Sequence, residues 1–178
     1  MKKILYILFF ACISGTAQNK FITKTGQINF EASVPSFEEV AAKNNSVTAI
    51  INTENGEFAA LALVKGFRFK NALMEEHFNE NYAESDQYPK ATFKGTINEL
   101  DLNTSEAEYT INGELTFHGQ KKIMNDVKVK INVNGNLITM SGQFTVKASG
   151  FDIDIPKIVS NKIADKIDVS FLFELSKK

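Results

Sequence analysis

Tyr109-Thr110-Ile111-Asn112-Gly113-Glu114-Leu115-Thr116-Phe117-His118 alternates apolar and polar residues along its whole length. A period of two places Tyr109, Ile111, Gly113, Leu115 and Phe117 on one face of a strand and the polar set on the other. The same period recurs on both sides of this segment. Ile28, Phe30, Ala32 and Val34 alternate with Asn29, Glu31 and Ser33, and Ala91, Phe93, Gly95 and Ile97 with Thr92, Lys94 and Thr96. Val127 to Val133, Ile138 to Ala148 and Ile167 to Leu175 repeat it. Val47 to Thr53 and Glu57 to Val64 flank Glu54-Asn55-Gly56, and Asn134-Gly135-Asn136 separates two later runs, both spacings that suit hairpin turns.

These runs make eight strands. Long strands with one dry face bury it by stacking as a sandwich or by closing on themselves. Eight strands suit a closed antiparallel barrel wide enough to be filled by side chains or to hold one small ligand, and closure leaves no edge for other chains to pair with. A membrane barrel would turn its apolar face outward; polar faces rich in Lys, Asn and Glu, with short connections, favour the soluble form. The expected fold class is therefore all-β, with one or two short helices near the barrel mouth.

Three segments break the rhythm. Asn71 to Tyr82 has Met74, Phe78 and Tyr82 at helical spacing. Ser36 to Lys43 is a shorter helical candidate. Gly150 to Asp165 is a long connection of the kind that often serves as a lid; Phe151, Ile153 and Ile155 alternate within it before Pro156 stops any strand.

The N-terminus reads as an export signal. Lys2 and Lys3 precede an apolar run from Ile4 to Ile13, which is shorter than the roughly 20 residues of a membrane-spanning helix. Gly15 and Ala17 then sit where a signal peptidase reads small residues. The expectation is a signal peptide over 1–17, a single domain over 18–178, and a periplasmic or secreted protein. The one cysteine, Cys12, falls in the leader. Lipoprotein anchoring through Cys12 is the weaker reading, since bulky Phe10 stands where that signal wants a small residue. The mature domain then has no thiol for disulfides, thiolate catalysis or metal ligation. Without Lys2 and Lys3 the 20 basic and 21 acidic residues become 18 and 21, a net charge of −3, and Arg68 is the only arginine. No basic stripe points to nucleic acid.

Catalytic chemistry is sparse. His77 and Glu80 could share a helix face, but two side chains do not make a zinc site, and a solvated acidic face explains them better. His118 lies on the polar phase beside Gly119 and a turn, with no nucleophile or orienting partner visible in sequence. No catalytic residue, metal site or cofactor is expected. Gly95, Gly113 and Gly142 all fall on the apolar phase, where an inward glycine marks a bend or a close approach; barrel curvature and room for a ligand are both open readings. The aromatic inward set of Phe30, Phe93, Tyr109, Phe117, Phe144, Phe171 and Phe173 suits either a solid core or an apolar pocket.

Phe67-Arg68-Phe69, Leu73-Met74-Glu75-Glu76-His77-Phe78 and Tyr88-Pro89-Lys90-Ala91-Thr92-Phe93, followed by Tyr109 to Gly119 and then Lys121-Lys122, resemble the YceI-like proteins in this order. The resemblance runs from about Gln27 to Leu175. It implies a lipocalin-like barrel, usually exported, that binds polyisoprenoid or similar amphiphilic lipids along its axis beneath the Leu73-to-Tyr82 helix. The implied ligand contacts are Phe30, Leu73, Met74, Phe78, Phe93, Gly95, Tyr109, Ile111, Gly113, Leu115, Phe117, Met140, Gly142, Phe144 and Phe171. Two features depart from the family pattern. Phe21-Ile22-Thr23-Lys24 stands where an aromatic-Asp pair and a nearby His are usual, and Ala148-Ser149-Gly150-Phe151 replaces an Arg-containing motif. The leading expectation is a non-catalytic lipid carrier with a homodimer as a possible assembly; an interaction module with a filled core and a lipid-modifying enzyme using His118 are the alternatives.

Overall fold

The computed structural model describes residues 19–34, 39–159 and 163–178; the leader lies outside them. The strands are β1 (Lys20–Ser33), β2 (Ala41–Asn52), β3 (Glu57–Leu63), β4 (Arg68–Phe69), β5 (Lys90–Ile97), β6 (Glu106–Phe117), β7 (Gln120–Asn134), β8 (Leu137–Lys147) and β9 (Ile163–Lys177). All pairings are antiparallel, and β1 pairs with both β9 and β2, which closes the sheet. Two-residue β4 adds onto the start of β2, with Phe69 opposite Ala42, so the ring itself has the eight strands read from the sequence.

Turn chemistry sets the registers. At the β6–β7 turn, His118 and Gly119 have φ of 48° and 73° and join Phe117 to its partner Gln120. Positive φ at both central residues is the type I′ geometry, whose twist matches that of paired strands. His118 therefore belongs to the turn and is buried, rather than standing on a wet strand face.

The alternation slips at two places. Pairing between β1 and β2 shifts on either side of Gly26, so the buried phase passes from Phe21 and Thr23 to Gly26, Ala32 and their neighbours. Between β6 and β7 the pairs Ile111↔Val127 and Gly113↔Met124 leave one extra residue on β7 at Asn125–Asp126. Asp126 has φ 52°, and its N–H donates to Asn112 Oδ1 at 2.6 Å. This bulge turns Met124 inward and leaves Ile123 69% exposed.

The helix expected over Asn71 to Tyr82 is present as α1 (Ala72–His77), continued by a wider π turn over Phe78–Tyr82. Asn71 Oδ1 accepts the Leu73 N–H at 2.9 Å as the N-cap. The helix expected over Ser36 to Lys43 is not borne out where it is described: Ala41, Ala42 and Lys43 pair with Glu31, Phe30 and Asn29 as the start of β2. A weak local helical pattern yields there to strand pairing; residues 35–38 lie outside the described residues. The long connection after β8 opens with a 3₁₀ turn, Ala148–Phe151, and leads into β9 at Ile163.

The interior divides along the barrel axis. At the end where β1 begins, Val47, Ala49, Ile51, Ile97, Val129, Ile131, Ile138 and Leu175 are all 2% exposed or less. Toward the other end the inward residues Ile28, Phe30, Phe69, Phe93, Phe144 and Phe171 are only partly buried.

Candidate functional site: the cavity in the barrel mouth

Those partly buried residues surround a cavity of about 450 Å³ open at the mouth. Its wall is almost wholly apolar, with Thr92, His77, Tyr82 and Lys147 as the polar side chains on it. Phe58, Ile111, Val127, Met140 and Phe173 line its deep end and also belong to the packed core, so the solid half forms the floor.

Two covers flank the opening, and each is anchored by an aromatic ring. On one side Phe78, at the end of α1, packs among Phe30, Phe67 and Phe69 with ring centroids 5.2–6.0 Å apart. Glu75 holds the helix down: one oxygen pairs with Arg68 Nη1 at 2.8 Å and the other accepts the Phe69 N–H at 3.1 Å. On the other side Phe151 packs against Phe117 at 5.8 Å. The 148–159 segment beyond it sends Ile153, Ile155 and Val159 to the cavity wall.

His118 ties the two covers together. A carbonyl can only accept, so Nδ1 carries a proton and donates to Phe151 O at 2.8 Å; Nε2 lies 2.8 Å from Glu84 Oε2 in the segment after the π turn. Tyr88 lies edge-on to the imidazole at 4.6 Å. Both ring nitrogens are thus engaged, the residue is 8% exposed, and it is not part of the cavity wall. A second anchor is Asp165, which accepts the Ser149 N–H at 2.8 Å and the Ser149 hydroxyl at 3.1 Å. The backbone N–H of Ser149 is the main reason the Asp165 carboxyl sits below the usual range; burial opposes it, and the Ser149 hydroxyl and Lys147 add smaller lowering effects.

Ten of the fifteen residues named from the sequence line the cavity: Phe30, Met74, Phe78, Phe93, Ile111, Leu115, Phe117, Met140, Phe144 and Phe171. Five do not. Leu73 points to solvent at 56% exposure. Tyr109 lies near the closed end and donates its hydroxyl to Asp101 O at 2.5 Å. Gly95 and Gly113 stand directly opposite each other on β5 and β6, and a Cβ on either would run into the neighbouring strand's carbonyl, Asn112 O or Lys94 O. A Cβ on Gly142 would come within 2.6 Å of the Phe171 ring, and one on Gly113 within 2.6 Å of the Phe93 ring. The space above these glycines is taken by strands and phenyl rings, the arrangement that lets a small sheet curve.

Sequence reading missed Ala60, Met124, Val146, Ile163, Ile167 and Val169 as wall residues. Ala60, Val146, Ile167 and Val169 follow from the inward phase of their strands; Met124 does not, because the bulge reverses its phase. Among the described residues no group of three or more His, Cys, Asp or Glu could hold a metal ion.

A closed antiparallel barrel, solid at one end and hollow and apolar at the other, is a lipocalin-like barrel. The chain belongs to the YceI-like domain family, whose model matches residues 12–175. No curated protein matches the chain. Among solved structures it is similar to a polyisoprenoid binding domain from Saccharophagus degradans implicated in plant cell wall breakdown, with a TM-score of 0.77 at 15% identity, covering 90% of this chain and 99% of that one. BcnA of Burkholderia cenocepacia gives 0.70 at 18% identity, covering 85% and 96%. A Campylobacter jejuni YceI protein gives 0.63 at 15% identity, covering 82% and 89%. At such identities the likeness speaks for the shared fold.

Proposed function

We propose that this protein is an exported, non-catalytic carrier that holds one long apolar lipid, polyisoprenoid or similar, in the mouth half of its barrel. The observation that carries this reading is the 450 Å³ cavity with an almost wholly apolar wall. Water gains little in such a space, whereas each methylene that leaves water for it stabilises the complex by about 0.8 kcal/mol. Membership of the YceI-like family supports it, as does the similarity to a domain described as polyisoprenoid-binding. Lys147, His77 and Tyr82 lie on the cavity wall and would meet the polar end of an amphiphile at the mouth. A role for His118 in lipid chemistry is disfavoured by its engaged ring nitrogens and its place off the wall. Export rests on the leader reading, and N-terminal sequencing of the protein recovered from a periplasmic fraction should begin at Gln18.

The test of the carrier reading is native mass spectrometry of the protein purified from cells without detergent. The expected spectrum contains a one-to-one adduct that organic extraction converts to a lipid and the bare chain. Repeated recovery of the bare chain alone, even after incubation with prenyl alcohols, would favour the interaction-module reading instead.

A further inference from the structure

The cavity ends on a plug that crosses the lumen. Phe173 leaves β9, and its ring lies over Gly26 of β1, where a Cβ would stand 2.5 Å from Cδ1. The ring then meets Phe58 of β3, with centroids 5.7 Å apart. Phe171, one inward position nearer the mouth, stacks on it at 5.3 Å and 19°. Met140 pairs with Phe173 from β8 and is 1% exposed. Below this layer the described side chains of Ile51, Ile131, Ile138 and Leu175 are at most 1% exposed and fill the closed end. Glycine at position 26 is what allows the ring to take this place, since a Cβ there would strike it.

We propose that Phe173, seated over Gly26 against Phe58, fixes the length of lipid chain this barrel accepts. The proposal rests on the carrier reading above and adds a limit to it. An apolar cavity of ~150 Å³ takes one benzene, six carbons. On that scale 450 Å³ takes about 18 carbons, so three or four isoprene units fill the protein. Carbons beyond that number trail out of the mouth into water or a membrane and add little to the affinity.

The test is isothermal titration of the full mature chain with prenyl alcohols of 10, 15, 20 and 40 carbons delivered from cyclodextrin. Binding should tighten by more than about tenfold from 10 to 15 carbons and again, by a smaller step, to 20, as buried methylenes accumulate. From 20 to 40 carbons it should change by less than about threefold. Tightening that continues in similar steps to 40 carbons overturns the length limit while leaving the carrier reading intact. Failure of every alcohol to bind overturns the carrier reading itself. Phe173→Leu should move the plateau to longer chains, and a folded Phe173→Leu protein with the wild-type length profile would sink the assignment. Because that site is in the core, a second variant works from the hollow side. Ala60 is the next inward residue above Phe58 on β3 and faces the cavity. Ala60→Leu adds three carbons at the cavity wall and leaves Phe173 itself unchanged, so the plateau should begin about three carbons earlier. An unmoved profile in Ala60→Leu overturns the volume limit as well.

Discussion

Ile131 on β7 and Ile167 on β9 are both inward isoleucines on strands that flank β8 in the same closed sheet, yet they live in different surroundings. Ile131, in the half near the start of β1, is 1% exposed and packed on all sides. Ile167, in the half near the mouth, borders the cavity. Period and side chain are the same on the two strands; what differs is whether anything stands opposite. The barrel therefore combines two functions that usually compete. One half supplies the close-packed core that stabilises a domain of this size, and that core frees the other half to stay hollow.

Paired substitutions test this contrast. Ile131→Ala should cost about 2–5 kcal/mol, the range for emptying a packed site. Ile167→Ala should cost roughly 1 kcal/mol or less, because part of its surface already faces empty space. Urea unfolding of both variants measures the difference, and equal losses would mean that the two halves are packed alike. Gly113→Ala tests the curvature of the wall between them. Its Cβ meets the β5 backbone and the Phe93 ring, so the loss should lie toward the upper end of roughly 1–3 kcal/mol; a neutral variant would restore the reading of Gly113 as open space for a ligand.

How much of this was legible in the sequence follows from the same contrast. The eight strands, the β7–β8 turn and the Asn71-to-Tyr82 helix could be read because strand period, turn residues and helical spacing are local signals. The bulge at Asp126 could not, since one extra residue in β7 shows only against its partner β6, and its effect was to hide Met124 and expose Ile123. The hollow itself left no mark: an inward Phe93 looks the same in sequence whether the space before it is empty or full. Gly113 and Gly142 were visible as anomalies, but the strands and rings that occupy their space come from elsewhere in the chain. The motif residues carry mostly structural work, with Arg68 and Glu75 fastening α1, and Tyr88 and His118 fastening the second cover.

Smaller effects belong to the covers. His118→Ala removes both hydrogen bonds that join Glu84 to Phe151 and should cost about 1–2 kcal/mol. Hydrogen exchange should rise in the 148–159 segment ahead of the barrel strands; an unchanged segment would show that Phe151 holds it alone. The Asp165 anchor gives the smallest effect. Its carboxyl is depressed in the folded protein, so its contribution is present above the ordinary carboxylate value near 3.8 and is lost as pH falls through the lower folded value. Asp165→Asn should remove that acid-dependent loosening of the Ser149 turn, seen in the Ser149 amide shift, and leave neutral-pH behaviour of the barrel unchanged.

The most direct measurement is an isotope-filtered NOE spectrum of the labelled protein with unlabelled 15-carbon prenyl alcohol bound. Contacts are expected from the alcohol to the methyl groups of Leu115, Met124, Val146 and Ile167, and none to those of Val47, Ile131, Ile138 or Leu175. Contacts to the second group, or to the outer face of the barrel alone, would contradict a molecule that is solid at one end and holds its lipid at the other.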